Sequence, residues 1–223
     1  SQNLFPAHVF HRYCPELLNG GKTLSGVPVL VQLMGHDPAL MGENAAFAAT
    51  LGAPGIDINF GCPSKTVNKH EAGASLLKCP DNLYRIVSAV RRAVPADIPV
   101  SAKIRLGFAD KELFLDNARA VEAAGAQHLT VHARTKVEGY KPPAHWEYLA
   151  RIREAISISM TGNGEIWDVA DYQKCRDISG CNSFMLGRGA VAAHDLANRI
   201  KAVEYGYHLP KESWSNVLSM LQA

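Results

Sequence analysis

The chain has 223 residues, of which 47% are hydrophobic and 20% charged, with a formal net charge of +2. That length accommodates one large domain with a sizeable core, and so mild a charge does not by itself indicate nucleic-acid binding. No apolar run reaches the ~20 residues of a membrane span, and the opening "SQNLFPAHVFHRYCPELL" lacks the basic-then-apolar order of a signal peptide.

In chain order, the first β-rich run is "VPVLVQL" (27–33), followed by a helical segment at 39–51 that Gly52 closes. The run "IDINF" (56–60) leads into a long loop, then a helix over 81–94. There Leu83, Ile86, Val87, Val90 and Val94 share one face, Asp81 is the expected N-cap and Pro95 the stop. Next come "IPVSAKI" (98–104) and a helix over 111–124, with Phe114, Ala118 and Val121 on one face and Gly125 at its end. The runs "HLTVH" (128–132), "ISISMTG" (156–162) and "SFMLG" (183–187) alternate with helical segments at 145–155, 167–178 and 191–204. All six runs are nearly continuous in apolar residues, as expected of a parallel sheet buried on both faces. In the last segment, "KESWSNVLSMLQA", the residues Trp214, Val217, Leu218 and Leu221 share a helical face.

This alternation predicts an α/β fold with a parallel sheet. A dinucleotide-binding open sheet needs a G-x-G-x-x-G turn after the first strand, and none is present. Gln32, Asn59, Lys103, His132, Asn163 and Arg188 all lie at or just beyond a strand's C-terminal end. That is where (β/α)₈ (TIM) barrels keep their sites, so the barrel is the expected fold. Only six of its eight strands are visible, so an incomplete barrel is expected.

The turns "TGNGEI" (161–166) and "LGRGA" (186–190) follow the last two strands, where barrels commonly hold phosphate. Arg188 can fork onto a phosphate, whereas the Glu165 carboxylate should cap backbone donors or meet a ligand hydroxyl. Lys103 can be a snorkelling lysine, a Schiff-base amine or a cation beside an anionic cofactor. Basic residues recur in the same loops: Lys65 and Lys69; Arg105; Arg134, Lys136 and Lys141. They read either as a solvated rim or as the footprint of a polyanion.

The cysteines, Cys14, Cys62, Cys79, Cys175 and Cys181, contain no C-x-x-C pair, which argues against disulfides and a cysteine-rich zinc site. A reducing, cytoplasmic setting follows. His8, His36 and His208 show no metal spacing, so no metal is expected. Four of the thiols read as small buried hydrophobes. Cys62 stands apart, between Gly61 and Pro63 just past a strand end, where a thiol can act as nucleophile or proton donor.

The motifs "NFGCPSKTVN…GASLL", "KIRLG", "TVHARTKVEGY", "NGEIWD" and "GRGA", in this order, resemble the tRNA-dihydrouridine synthases over nearly the whole chain. The stretches "CPEL…SGVPVLVQLMG" and "GEIWD…ISGCNSFMLGRGA" point to the bacterial C-type branch, which acts on uridine 16 of the D-loop. The resemblance implies an FMN enzyme reduced by NADPH, with Cys62 giving a proton to C5 of uridine. It implies FMN contacts at Gln32, Lys103, His132, Asn163, Gly164, Glu165, Gly187 and Arg188. Asn59 would contact the base, and Arg105, Arg134 and Lys65 would hold tRNA. Family members begin with a strand carrying Ala-Pro-Met and end with a helical tRNA-binding domain. The expectation is therefore a barrel domain over 1–206 that lacks its first strands, then the start of the helical domain at 207–223. Weak FMN retention, poor tRNA affinity and a monomeric state are expected. "NKHEAGA" is less glycine-rich than the branch leads one to expect, implying a stiffer loop. Competing readings are a flavoenzyme acting on a free pyrimidine, a Schiff-base lyase using Lys103, and a non-catalytic remnant that binds nucleic acid or a partner.

Overall fold

The structure is a computed structural model and describes residues 4–211. Among these, six parallel strands form one sheet in sequential order: β1 (Val31–Leu33), β2 (Ile56–Asn59), β3 (Val100–Arg105), β4 (His128–His132), β5 (Ser159–Asn163) and β6 (Phe184–Met185). The main crossover helices are α2 (Pro38–Thr50), α4 (Pro80–Ala93), α5 (Phe114–Ala123), α6 (Trp146–Ala155) and α7 (Val169–Ser179). They pack side by side in chain order on one face of the sheet. Four shorter α-helices, α1 (Ala7–Tyr13), α3 (Lys65–Lys69), α8 (Arg188–Ala192) and α9 (Leu196–Glu204), and two 3₁₀ helices, Pro15–Asn19 and Gly73–Lys78, complete the described chain. This is a run of consecutive barrel units, with β1 and β6 as the sheet's two edges. The expected helical segment around Trp214, Val217, Leu218 and Leu221, and most of 207–223, lie outside the described residues.

In β1 to β4 the strands are apolar on the helix side only, whereas β6 turns Met185 toward the cavity. Ile56, Ile58, Val100, Ala102, Ile104, Leu129 and Val131 are fully buried beneath the helices. The alternate positions turn to the lumen and are polar: Gln32 on β1, Asp57 and Asn59 on β2, Ser101, Lys103 and Arg105 on β3, Thr130 and His132 on β4. The expectation of apolar residues on both faces is corrected by this alternation, because one face meets helices and the other a ligand-sized space.

Helix α4 buries Leu83, Ile86, Val87 and Val90, each at most 1% exposed, as its spacing predicts. Its start differs from expectation. Pro80 occupies the first helical position and Cys79 the cap position without a side-chain bond, which leaves Asp81 inside the first turn. There the carboxylate faces the positive end of the helix dipole instead of capping it. Side-chain caps occur at Asp37, which accepts from the Ala39 and Leu40 N–H groups of α2, and at Asp168, which accepts from Asp171 N–H in α7. Gly52 and Gly125 have left-handed φ of +91° and +92°, as their helix-ending positions require.

β2 ends one residue early at Asn59, β3 shifts to 100–105, and three strands are more clearly shorter or shifted. β1 loses 27–30 because Pro28 lacks an N–H, and Pro28 instead makes an isolated antiparallel bridge with Lys22. β5 begins at Ser159 because the N–H groups of Ser157 and Ile158 donate to Glu122 Oε1 on α5. β6 keeps only the residues that pair with Gly162 and Asn163. Cys175 and Cys181 are buried as expected, while Cys14 and Cys79 are only partly so. Among the described residues no helix is long and apolar enough to cross a membrane.

Candidate active site

Strand register stacks the lumen side chains in rungs. Gln32 pairs with Asp57 and Asp57 with Ser101; above them Asn59 pairs with Lys103 and Lys103 with Thr130; at the mouth Arg105 pairs with His132 and His132 with Asn163. Where the C-terminal strand ends converge, a cavity of about 710 Å³ opens, within the range of small-molecule sites. Gln32, Asn59, Cys62, Lys103, Arg105 and His132 line it. So do Arg134, Asn163, Gly164, Glu165, Gly187 and Arg188. Lys65 is the exception among the expected site residues: it is exposed at the first position of α3, off the cavity wall.

Cys62 sits partly exposed on that wall, in a turn held from several directions. Its carbonyl accepts from Ala74 N–H at 3.1 Å and from Asn68 Nδ2 at 2.9 Å. Gly61 before it donates its N–H to Asn59 Oδ1 and accepts from Arg105 Nε at 2.7 Å. Gly73 has φ +62°, and a Cβ there would stand 3.0 Å from Cys62 Cβ, so the close approach requires glycine. In the "NKHEAGA" loop Glu71 takes a left-handed φ of +55°, a conformation that a glycine adopts without strain.

Arg105 and Arg134 are not rim charges, which corrects that expectation. They are 2% and 0% exposed. Arg105 also donates to the carbonyls of Thr135 and Gly139. Arg134 donates to the Lys141 carbonyl at 2.7 Å and pairs with Glu165. Among the described residues Glu165 in turn caps no backbone donor: it accepts from the Trp167 indole at 3.1 Å and pairs with Arg134, on a backbone with φ +63°. The buried guanidiniums bind loop carbonyls because a charge removed from water must be paired or hydrogen-bonded.

These cations set the protonation of their neighbours. Burial, then Arg105, bring the Lys103 ammonium down to about 8, against the opposing pull of Asp57. Burial and the surrounding Arg105, Lys103, Arg134 and Arg188 push His132 down to about 2, so its ring stays neutral. Arg134 Nη1 lies 3.3 Å from His132 Nε2, and a guanidinium can only donate. The ring proton is therefore on Nδ1.

The glycine turns supply close backbone. A Cβ at Gly164 (φ +122°) would stand 3.0 Å from His132 Cδ2, and one at Gly189 would stand 2.1 Å from the Ile166 carbonyl oxygen. Arg188 is exposed and lies over the rings of Tyr140 and Trp167, each 4.9 Å away. Tyr140 and Trp167 also line the cavity, and in sequence they show only as aromatic residues in loops beyond strand ends, within "TVHARTKVEGY" and "NGEIWD". The donor set fits a phosphorylated, planar ligand such as FMN: an exposed arginine and open glycine backbone at Gly187 for the phosphate, and amides, a lysine and a neutral imidazole for a heterocycle. Among the described residues no group of His, Cys, Asp and Glu is placed to hold a metal ion.

The family profile described as "Dihydrouridine synthase (Dus)" matches residues 2–223. The chain is 53% identical over 222 residues to the tRNA-dihydrouridine(16) synthase of Pseudomonas syringae pv. tomato, covering 100% of this chain and 70% of that one. It is 51% identical over 218 residues to the tRNA-dihydrouridine(16) synthase of Shewanella oneidensis, covering 98% of this chain and 68% of that one. Among solved structures, a 2,3-dimethylmalate lyase aligns with TM-score 0.59 at 13% identity over 94% of this chain and 75% of its own. The YdjI aldolase from Escherichia coli K12 aligns with TM-score 0.52 at 19% identity over 88% of this chain and 67% of its own. At such identities the likeness is one of fold alone.

Proposed function

The chain belongs to the dihydrouridine synthase family, and on that premise we propose that its cavity reduces uridine in tRNA to 5,6-dihydrouridine, at position 16. The observation that carries this is Cys62, held on the wall of a cationic cavity that also carries a donor set suited to a flavin. Bound here, FMN would supply the hydride for C6 of the base, with NADPH as its reductant.

The chain's own residues do the rest. Cys62 Sγ–H delivers the proton to C5, and the thiolate left behind faces the buried Arg105 guanidinium, with which it interacts electrostatically. Asn59 would hydrogen-bond the base, while Gln32, Lys103 and His132 Nδ1–H would hold the flavin ring. Asn163, Gly164, Glu165, Gly187 and Arg188 would lie around its ribityl phosphate, with Arg188 and the open backbone as the donors. Arg105 and Arg134 act on a nucleotide that enters the cavity, and Lys65 on the tRNA backbone outside it. The protein works as a monomer in the cytoplasm, the setting of its substrate.

The test is to titrate the chain with FMN and follow flavin fluorescence, then assay dihydrouridine in tRNA with NADPH. Flavin binding with dihydrouridine formation is expected; neither signal overturns the reading. Turnover of free uracil that ignores salt would reassign the substrate to a free pyrimidine.

A further inference from the structure

The polar lumen contains a hydrogen-bond chain that extends below the residues meeting a ligand. Gly61 N–H donates to Asn59 Oδ1 at 2.9 Å, Asn59 Nδ2 donates to Gln32 Oε1 at 2.9 Å, and Gln32 Nε2 donates to Asp57 Oδ2 at 2.7 Å. Asp57 Oδ1 accepts from Ser101 Oγ at 2.7 Å, so the carboxylate joins β1, β2 and β3. Both ends of the chain have fixed polarity. A backbone N–H can only donate and an ionised carboxylate can only accept, whereas each amide between them can turn either way round.

We infer that Asp57 is the positioning residue of the site: it terminates a donor relay that fixes the amides of Gln32 and Asn59 and, through Gly61, the turn that carries Cys62. The relay determines which groups remain for ligands. Each amide keeps one free N–H and one free lone pair, on sides that Asp57 and Gly61 select. Gly61 is held at both ends of its residue, by Asn59 at its N–H and by Arg105 at its carbonyl. A shift at Asp57 therefore reaches Cys62 through the Gly61 turn without Asp57 touching a substrate. Aligned donors polarise one another, so the chain orders as a unit. The consequence for catalysis rests on the uridine-reduction reading; the relay itself does not.

A charge swap tests it. In Gln32→Glu two carboxylates oppose each other, and the link between positions 32 and 57 loses its donor. In Asp57→Asn/Gln32→Glu the carboxylate has moved one place along the relay: the new amide at position 57 donates to the new carboxylate at position 32, which still accepts from Asn59. Asp57→Asn alone keeps an acceptor for Gln32, with the Ser101 hydroxyl turning to accept. Hydrogen exchange of the Gly61 backbone amide and the Asn59 side-chain amide is measured by NMR on the free chain. Exchange is expected to quicken about tenfold in Gln32→Glu and to return toward the wild-type rate in the double variant. Recovery by the swap is a pairwise signature that a merely space-filling role does not produce. Exchange in Gln32→Glu as slow as in wild type, or in the double variant as fast as in Gln32→Glu, overturns the proposal. Should Gln32→Glu fail to fold, Asp57→Ala replaces it, with fast exchange expected and slow exchange overturning. Dihydrouridine formation by the wild-type chain is assayed in parallel. Its absence counts against the reductase reading, while the exchange pattern still decides the relay.

Discussion

Cys62 illustrates how far one side chain's role depends on its surroundings. A partly exposed thiol is an ordinary feature until the Gly61 turn, the Gly73 approach and Arg105 hold it at the cavity wall. Cys62→Ala is expected to bind FMN like the wild type and to lose roughly 10²–10⁴ in turnover, checked by flavin titration and a dihydrouridine assay. Lys103 is expected to titrate near 8 in the free chain and to move up when an anionic ligand fills the cavity, followed by NMR of its side-chain carbons. The sign is the reverse of a paired lysine. Because the folded value lies below the usual 10.5, the charge is a cost to folding that is fully present below pH 8 and relieved as pH approaches 10.5. Lys103→Met should thus stabilise the free chain at neutral pH, by on the order of 1–3 kcal/mol, while weakening ligand binding; denaturation and flavin titration check the two halves.

At the scale of elements, the loop between β4 and α6 is organised by Glu138. Its carboxylate accepts from Lys111 Nζ at 2.7 Å, Thr135 N–H at 2.6 Å and His145 Nε2 at 2.9 Å. Burial alone would raise this carboxyl, but those hydrogen bonds, led by Lys111, outweigh it and hold it down to about 2. Its stabilising effect is complete above the usual 4.5 and is lost as pH falls through 2. Glu138→Gln should cost about 1–3 kcal/mol at pH 7, and the gap to wild type should shrink progressively between pH 4.5 and 2, as urea unfolding at each pH will report. The first turn of α8, just after β6, offers a steric test. In Gly189→Ala the new Cβ would meet the Ile166 carbonyl oxygen at 2.1 Å, forcing backbone apart where the phosphate is proposed to sit. A loss of about 1–3 kcal/mol in stability and a weaker FMN affinity are expected, read by thermal unfolding and flavin fluorescence.

Across the whole molecule, charge is divided by depth. Arg105 and Arg134 are sealed into loop carbonyls, whereas Lys65 and Lys69 on α3 and Lys141 beyond β4 face solvent. Only the solvent-facing group is free to exchange its counterions for phosphates, so tRNA binding should weaken with salt through these residues. Lys65→Gln/Lys69→Gln should flatten the slope of log K against log salt by roughly 0.7 for each phosphate no longer engaged, measured by filter binding at several salt concentrations. The six sequential strands and their helices were legible from the alternation of β-rich runs and helical periods, because neighbouring parallel strands need such crossovers. Strand ends were less legible. Pro28 and the capping of Ser157 and Ile158 by Glu122 shortened β1 and β5, and the second of these joins groups 35 residues apart.

The order of strands, the strand-end position of Cys62 and the glycine turns after β5 and β6 were all determined by the sequence alone, since each follows from local periodicity and turn chemistry. Tertiary structure decided which charges are buried. An arginine written beside a loop looks the same on paper whether its guanidinium meets water or three carbonyls, and the difference arises only when distant loops close over it. It also decided that Asp57, one residue in an apolar-looking strand, faces the lumen between Gln32 and Ser101. A side chain's hydrogen-bond partners come from neighbouring strands 25 and 44 residues away in sequence, and no local pattern encodes them.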